Sequence, residues 1–298
     1  MAKALLPAAL EAAYRLLDHE YTIRTPDRNP PKTSLTMHAD GQGVPIVYLN
    51  QMMAVLSDGT FGSKLVFVDE GTHRLGGRVV VYDKSFALLV DQDAETITAL
   101  RCGLMAALAM DRYFRCTPRL RRDLTIGFIG TGRINQMTAW VLRTLWGCER
   151  FLIRGSPTHI NKHAALFPEC AKVADGIRDF SNCNVIVACT NNRSAEHLIE
   201  TDAIHGPILF IAQDGGYLLG SSFRQRFPSF TDDMPQLSRS LQEEFPFDRT
   251  PVSLVGDLNH PAFLEQGNQP ATAVCVYLYG IALADVVTAL FHLKIFSG

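Results

Sequence analysis

The chain lacks the short motifs by which several classes of enzyme and metal protein are recognised. Its seven cysteines include no C-x-x-C pair, which argues against a zinc ribbon and a thioredoxin-type redox site. It contains no G-x-S-x-G nucleophile elbow and no Walker A loop. His159 and His163 have the spacing of two zinc ligands on a helix, but the glutamate of H-E-x-x-H is missing. The sequence therefore predicts no metal site.

An excess of charge of one sign is also absent. The 28 basic residues nearly balance the 30 acidic ones, and the formal net charge is −2. Nucleic-acid-binding proteins usually carry a basic surplus, so we predict no nucleic-acid partner. Hydrophobic residues make up 47% of the chain and charged residues 19%, which is typical of a globular enzyme and not of a disordered chain. A length of 298 residues is enough for two domains.

Neither end of the chain has an uninterrupted apolar run. Near the N-terminus Glu11 and Arg15 interrupt the apolar residues, which predicts an amphipathic helix rather than a signal peptide. The stretch Ala271–Phe296 is long enough to raise the question of a membrane span. Asp285 lies in its middle and Gly280 punctuates it, which favours a buried helix at a domain or subunit contact. We therefore predict a cytoplasmic protein that does not interact with membranes.

The spacing of apolar residues changes along the chain. Before Thr96, short strand-like runs predict a mostly antiparallel sheet, and Thr96–Phe114 has the spacing of a helix. From Leu124 onward, short apolar strands alternate with helices, as in a parallel sheet that is covered on both faces. The predicted fold class is α/β, with a Rossmann-type doubly wound parallel-sheet domain and a second, mixed α+β domain.

The strongest functional signal lies where the strand Leu124–Ile129 meets the next helix. The intervening residues are Gly130, Thr131, Gly132, Arg133, Ile134 and Asn135. In a dinucleotide-binding turn the first glycine allows the tight turn and the second lets the backbone approach a pyrophosphate at the helix N-terminus. The usual third glycine is Asn135 here. Because further β/α units follow, we predict that residues 130–134 bind NAD(P); the alternative is a glycine turn without a ligand.

The end of the second strand, Phe151–Ile153, is where the ribose of the cofactor is read. NAD-binding domains usually have Asp or Glu about 20 residues after the glycines. This sequence has Arg154, followed by Gly155 and Ser156. An arginine suits the 2′-phosphate of NADP, so Arg154 predicts a preference for NADPH over NADH. The alternative is a solvated surface arginine.

Other charged residues are candidates for contact with a substrate. Lys64 begins a strand, Arg101 lies near a helix start, and both are of the kind that binds carboxylates; Lys32 is a weaker candidate. Asp214 follows the buried strand Ile208–Ala212, and the carboxyl end of a parallel strand borders the ligand crevice of such sheets. Half-buried near a nicotinamide, it could hold or pass a proton. Surface cations and a turn aspartate remain the alternatives.

Over most of its length the sequence resembles the ornithine cyclodeaminase / mu-crystallin family. The segments that carry the resemblance are Lys64-Leu-Val-Phe-Val, Ile97-Thr-Ala-Leu-Arg101, Ile126-Gly-Phe-Ile-Gly-Thr-Gly132, Val187-Ala-Cys-Thr190, Thr231-Asp-Asp233 and Tyr279-Gly-Ile-Ala-Leu-Ala-Asp285-Val. The second of these, combined with the Rossmann turn, is fairly specific. One family segment, H-[IV]-x-x-x-G-x-D-x-P-G-K, is replaced here by Leu209–Gly220, so that Asp214 matches the family's catalytic aspartate only with a gap.

The resemblance implies a division of the chain. Residues 1–117 together with 262–298 would form a domain for substrate binding and dimerisation, and residues 118–261 the Rossmann domain. Lys64 and Arg101 would bind the substrate carboxylate, with Lys32 where the family usually has an arginine.

It also implies roles in catalysis and cofactor binding. Asp214 and Lys64 would be catalytic, and Thr190 would join the cofactor-binding residues. The implied activity is that of a homodimeric NAD(P)-dependent oxidoreductase acting on a small amino or imino acid. It would be a ketimine or cyclic imine reductase, or an amino-acid dehydrogenase, with hydride transfer at the α-carbon. The alternatives are a cyclodeaminase or opine-like synthase that recycles NAD, and an NAD(P)-binding protein without catalysis.

Overall fold

The computed structural model divides the chain into two compact units. One contains Lys3–Leu104 and Gly280–Gly298 and is called here the antiparallel-sheet unit; the other contains Met105–Tyr279 and is called the parallel-sheet unit. The structure describes residues 6–39, 45–69, 74–114, 118–190, 208–214, 216, 218–235, 254–266 and 273–296.

The antiparallel-sheet unit is a five-stranded meander with helices against it. Its elements are α1 (Pro7–Thr22), β1 (Thr33–Ala39), β2 (Pro45–Val55), β3 (Phe61–Asp69), β4 (Arg74–Tyr82), β5 (Leu88–Asp93), the first half of α2 (Ala94–Phe114) and α8 (Ala282–Ile295). The strands pair in chain order, each antiparallel to the next. Side chains of β3 alternate, so that Lys64 and Val66 are buried while Leu65 and Phe67 are exposed. The helix α8 packs against β2, β3 and β4.

The parallel-sheet unit contains an eight-stranded sheet. Its elements after α2 are α3 (Pro118–Asp123), β6 (Thr125–Ile129), α4 (Arg133–Trp146), β7 (Arg150–Arg154), α5 (Pro157–His163), β8 (Ala171–Val173), β9 (Val185–Ala188), β10 (Leu209–Ala212), α6 (Ser221–Arg226), β11 (Ser229–Thr231), β12 (Leu254–Asp257), α7 (Pro261–Gln266) and β13 (Val274–Tyr277). The strand order is β12-β11-β13-β10-β9-β6-β7-β8, and all pairs are parallel.

This topology explains both the apolar strands and the position of a ligand site. The strands β9, β10 and β13 are buried along their whole length, since their apolar runs are covered on both faces. The chain order reverses between β6 and β9, which pair with each other. A reversal of this kind opens a crevice at the carboxyl ends of the two strands. The predicted fold class is thus confirmed.

Two expectations about the C-terminal region differ from the structure. Ala271–Phe296 was expected to form one buried helix, but its first part contains β13 and only Ala282–Ile295 is helical. Gly280, with φ +90, separates the two elements. Since β13 lies inside the parallel sheet, that unit extends to Tyr279, beyond the domain limit predicted at residue 261. Among the helices of the described residues, none has the length and apolar character needed to cross a membrane.

Candidate active site

The glycine turn lies at the carboxyl end of β6, where the strand order reverses. Gly130 has φ +100, and its N–H donates to the carbonyl of Arg154 at 2.8 Å. A Cβ atom on Gly130 would lie 2.1 Å from the carbonyl oxygen of Cys189 at the end of β9. Both the backbone angle and this close approach therefore require glycine.

Gly132 meets a different requirement. It has φ −71 and precedes the first turn of α4, a helix of 14 residues without an acidic side chain in that turn. A Cβ atom on Gly132 would meet no heavy atom of the described residues within 4 Å, apart from its chain neighbours. The first N–H groups of a helix have no partner within the helix and attract anions. The open space above Gly132 therefore fits the pyrophosphate of a dinucleotide.

Asn135, which stands at the position of the third glycine, stabilises the turn through side-chain hydrogen bonds. It is fully buried, and its Nδ2 donates to the carbonyls of Ile129 and Gly130, both at 2.9 Å. Gln136 adds a hydrogen bond from its side-chain amide to the carbonyl of Thr131 at 2.8 Å. Although the third glycine is missing, the side-chain amide of Asn135 hydrogen-bonds to the backbone at the end of β6 and so stabilises the turn.

The end of β7 is the place where a ribose would be read, and it carries basic side chains. Arg154 is partly buried there, and the next nine residues contain no acid. His159 and His163 on α5 stack with their ring centroids 5.8 Å apart, and Nδ1 of His163 lies 3.5 Å from the hydroxyl of Thr131. Arg154 on β7 and Lys162 on α5 are thus basic side chains that could contact a cofactor.

Asp214 and Thr190 meet at the carboxyl ends of the neighbouring strands β10 and β9. The Thr190 N–H donates to Oδ2 of Asp214 at 3.0 Å, and the Gly216 N–H donates to Oδ1 at 2.9 Å. Burial raises the pKa of Asp214 from 3.8 to about 6, although these backbone donors act in the opposite direction. A carboxyl group with a pKa near neutrality can both donate and accept a proton under physiological conditions.

The raised pKa of Asp214 should make folding stability depend on pH. The unfolded chain releases this proton near pH 4 and the folded chain near pH 6, so the stabilising effect is complete below about pH 4 and is lost as the pH rises through about 6. From pH 4 to 7, the free energy of unfolding should fall by about 2 kcal/mol relative to Asp214→Asn. Urea titrations measure this, with the exposed Asp123→Asn as the control. A constant difference between protein and variant would contradict the assignment.

A buried cluster of charges lies in the antiparallel-sheet unit. Lys64 on β3 is 2% exposed, and its Nζ donates to Oδ1 of Asp285 on α8 at 2.8 Å. Nε of Arg101 on α2 lies 3.7 Å from the same oxygen, and Arg101 is 8% exposed. Burial lowers the pKa of Lys64, Asp285 raises it, and Arg101 lowers it further. The cluster thus brings two basic side chains to one carboxylate oxygen.

Gly280 determines where the guanidinium of Arg101 lies. A Cβ atom on Gly280 would be 2.2 Å from Nη1 and 2.5 Å from Cζ of Arg101. Gly280 also has φ +90, a backbone angle that disfavours every residue with a side chain. The guanidinium therefore packs flat against this backbone segment, just before α8.

The structure brings together some of the predicted site residues. Lys64 and Arg101 share one cluster, and the glycine turn, Thr190 and Asp214 lie at the carboxyl edge of the parallel sheet. Lys32 lies partly exposed just before β1, Arg133 is exposed, and Ile134 is partly buried at the start of α4. The roles of all the predicted site residues stay predictions.

Sequence reasoning did not assign a role to three residues that build these sites, namely Asn135, Gly280 and Asp285. Asp285 could have been found, since it is the lone acid in an apolar helix and such an acid needs a partner. Gly280 and Asn135 act through contacts that bring distant parts of the chain together, and no local pattern marks them.

Comparisons with known proteins give a likeness in structure only. No family model matches the chain, and no curated protein matches it in sequence. The chain is similar to a probable ornithine cyclodeaminase from Bordetella pertussis Tohama I, with 18% identity, a TM-score of 0.71, and coverage of 99% of this chain and 94% of that one. A lysine cyclodeaminase has 18% identity and a TM-score of 0.73, covering 98% and 87%.

A third similar structure is that of Thermococcus litoralis Δ1-pyrroline-2-carboxylate reductase in complex with NADH and L-proline. Its identity is 16% and its TM-score 0.69, over 99% of this chain and 95% of that one. The chain therefore has, over nearly its whole length, the fold of these cyclodeaminase and imino-acid reductase structures.

Proposed function

We propose that this protein is an NAD(P)-dependent oxidoreductase that acts on a small amino or imino acid with a free carboxylate. The observation that carries the proposal is the combination of two sites in one chain. An open glycine turn at the strand reversal suits a dinucleotide, and a buried cluster that contains Lys64 and Arg101 suits a carboxylate. The similar reductase in complex with NADH and L-proline supports this combination of ligands.

The protein's own residues would bind and orient both ligands. Gly130, Thr131 and Gly132, with the first N–H groups of α4, would hold the pyrophosphate. Lys64 and Arg101 would hold the carboxylate and so fix the α-carbon. A bound nicotinamide would supply or accept the hydride at that carbon.

Asp214 would move the proton at the substrate nitrogen. Reduction of an imino acid needs one proton at nitrogen for each hydride at carbon. A carboxyl group with a pKa of about 6 is partly protonated near neutral pH and can supply that proton. Its hydrogen bonds to Thr190 and Gly216 would hold it in a fixed orientation at the sheet edge.

The test of the function is turnover with a defined set of substrates. The protein is incubated with NADPH and Δ1-pyrroline-2-carboxylate, or with NAD(P) and L-proline, L-alanine, L-lysine or L-ornithine. Sustained change in the absorbance of reduced nicotinamide supports the proposal. Release of ammonia from L-ornithine or L-lysine without that change would identify a cyclodeaminase that recycles its cofactor. Cofactor binding without any turnover would identify a non-catalytic binding protein.

We further propose that NADPH binds more tightly than NADH. Arg154 ends β7 where NAD-specific domains place an acid, and a charge-assisted contact to the 2′-phosphate contributes about 1.5–3 kcal/mol. Arg154→Ala should then weaken NADPH about tenfold or more and leave NADH nearly unchanged. Arg150→Ala, at the exposed start of the same strand, is the matched control. Titrations of nicotinamide fluorescence measure both affinities, and equal affinities in the unchanged protein would reject the assignment.

We also propose that the protein is a homodimer through the outer face of the antiparallel sheet. Met53, Leu65 and Phe67 on β2 and β3 are 50%, 46% and 42% exposed, and they form an apolar surface of the kind that associates. Leu65→Glu should give a monomer in light scattering. Leu166→Glu, at a leucine that is 43% exposed in the other unit, should leave the dimer intact. A clean monomer of the unchanged protein at micromolar concentration would overturn the proposal.

A further inference from the structure

Asp285 is a buried carboxylate on an otherwise apolar part of α8. It is fully buried in α8 among Ala284, Val286 and Val287, which are also buried. Its Oδ1 accepts from Lys64, and its Oδ2 has no hydrogen-bond partner among the described residues. Burial of a charge is costly unless it is paired, so Asp285 and Lys64 depend on each other for their stability in the protein interior.

Asp285 lies where its negative charge reduces the repulsion between two buried cations. Lys64 and Arg101 come from β3 and α2 and approach the same oxygen. Without a carboxylate between them, their repulsion and their burial would both favour loss of the proton from Lys64. A neutral amine cannot attract a substrate carboxylate.

Arg101 depends less on Asp285 than Lys64 does. Its Nε is 3.7 Å from the carboxylate, beyond hydrogen-bond distance, whereas the Lys64 ammonium lies at 2.8 Å. The guanidinium lies close against the backbone of Gly280. An effect of Asp285 on ligand binding should therefore pass through Lys64.

We propose that Asp285 is a positioning residue that orients the Lys64 ammonium and keeps it charged, so that Lys64 can bind a substrate carboxylate. The proposal rests on the proposed function and deepens it.

The charged and titratable groups around Lys64 agree with this role. They are Asp285 on α8, which raises the pKa of Lys64, and Arg101 on α2, which lowers it. Cys102, also on α2, raises it weakly, and burial lowers it most. Replacing Asp285 by Asn therefore removes the main group that keeps the ammonium protonated.

The first test follows the Lys64 side chain directly. The protein is labelled with 13C at lysine Cε and titrated by NMR, with Lys64→Met to assign the signal. In Asp285→Asn, Lys64 should lose its proton at least one pH unit lower than in the unchanged protein. An unchanged titration of Lys64 would overturn the proposal. This measurement needs no substrate, so it is independent of the proposed function.

The second test is a double-mutant cycle with Δ1-pyrroline-2-carboxylate and NADPH. Asp285→Asn should raise KM about tenfold or more, and increasingly so as pH rises, while NADPH affinity stays unchanged. Once Lys64 is Met, adding Asp285→Asn should change kcat/KM by less than about threefold. A further tenfold loss in the double variant would show that Asp285 acts on its own and would contradict the proposal.

The comparison of Lys64→Met with the double variant also covers the case in which Asp285→Asn alone fails to fold. If no variant and no unchanged protein turns the probe over, the proposed function has failed, while the NMR titration still decides the role of Asp285.

Discussion

Replacing Gly132 by alanine is expected to reduce the affinity for NADPH at least tenfold while the protein stays folded. The added methyl group would stand in the open space at the start of α4, where a pyrophosphate must approach the backbone. Since φ is −71 and no neighbour lies within 4 Å, the free energy of unfolding should fall by about 1 kcal/mol or less. Fluorescence titration and urea unfolding measure the two effects.

Gly130→Ala is the matched comparison, and its main effect should be on the stability of the fold. Its methyl group would lie 2.1 Å from the Cys189 carbonyl, and φ +100 is strained for alanine. We expect a loss of about 3 kcal/mol or more in the free energy of unfolding. If Gly132→Ala binds NADPH as the unchanged protein does, the glycine turn does not hold the cofactor.

Arg101→Lys is expected to lower kcat/KM about a hundredfold, or about 2.7 kcal/mol of transition-state stabilisation. Lysine keeps the positive charge but loses the planar fork, and it cannot pack on Gly280 as the guanidinium does. The substrate carboxylate would then be held in the wrong place for reaction at the α-carbon. Arg78→Lys, at an exposed arginine on β4 of the antiparallel sheet, is the control, and its kcat/KM should stay within twofold of the unchanged protein.

Lys64→Met should cost as much in kcat/KM and should also destabilise the protein. It leaves the buried carboxylate of Asp285 without its hydrogen-bonded cation, at a cost of about 3 kcal/mol. Adding Asp285→Asn should recover most of that stability without recovering activity. For both cations, NADPH affinity should remain unchanged. If kcat/KM of Arg101→Lys stays within twofold of that of the unchanged protein, Arg101 does not bind the substrate carboxylate.

Local patterns were sufficient to predict the parallel, doubly wound sheet, but not its C-terminal part. Alternating apolar strands and helices after Leu124 predict the doubly wound sheet, and the two glycines predict the turn at its strand reversal. The spacing of apolar residues along a helix or strand indicates which of its faces is buried, and this spacing can be found within a short segment of sequence. The prediction of a helix for the segment that contains β13 was wrong, because a short apolar run that is buried on all sides has no periodicity that separates strand from helix.

The charge cluster was predictable only in part. Lys64 and Arg101 were predicted from charge type and from the family resemblance, but the partner of Lys64 lies 221 residues away on α8. An acid inside an apolar helix predicts a buried partner without saying which one. Asn135 likewise replaces a glycine by hydrogen bonds that depend on how α4 packs against β6. Such contacts arise from tertiary packing.

The most direct test of the central claim follows the hydride itself. Δ1-pyrroline-2-carboxylate is reduced with NADPH that carries two deuterium atoms at nicotinamide C4, so that either face delivers deuteride, and the product is examined by mass spectrometry and NMR. The account predicts proline with deuterium at the α-carbon, formed over many turnovers, and formed more slowly by Arg101→Lys and, at low NADPH concentration, by Gly132→Ala. Unlabelled product, or no product from this or any other imino acid despite firm NADPH binding, would contradict it.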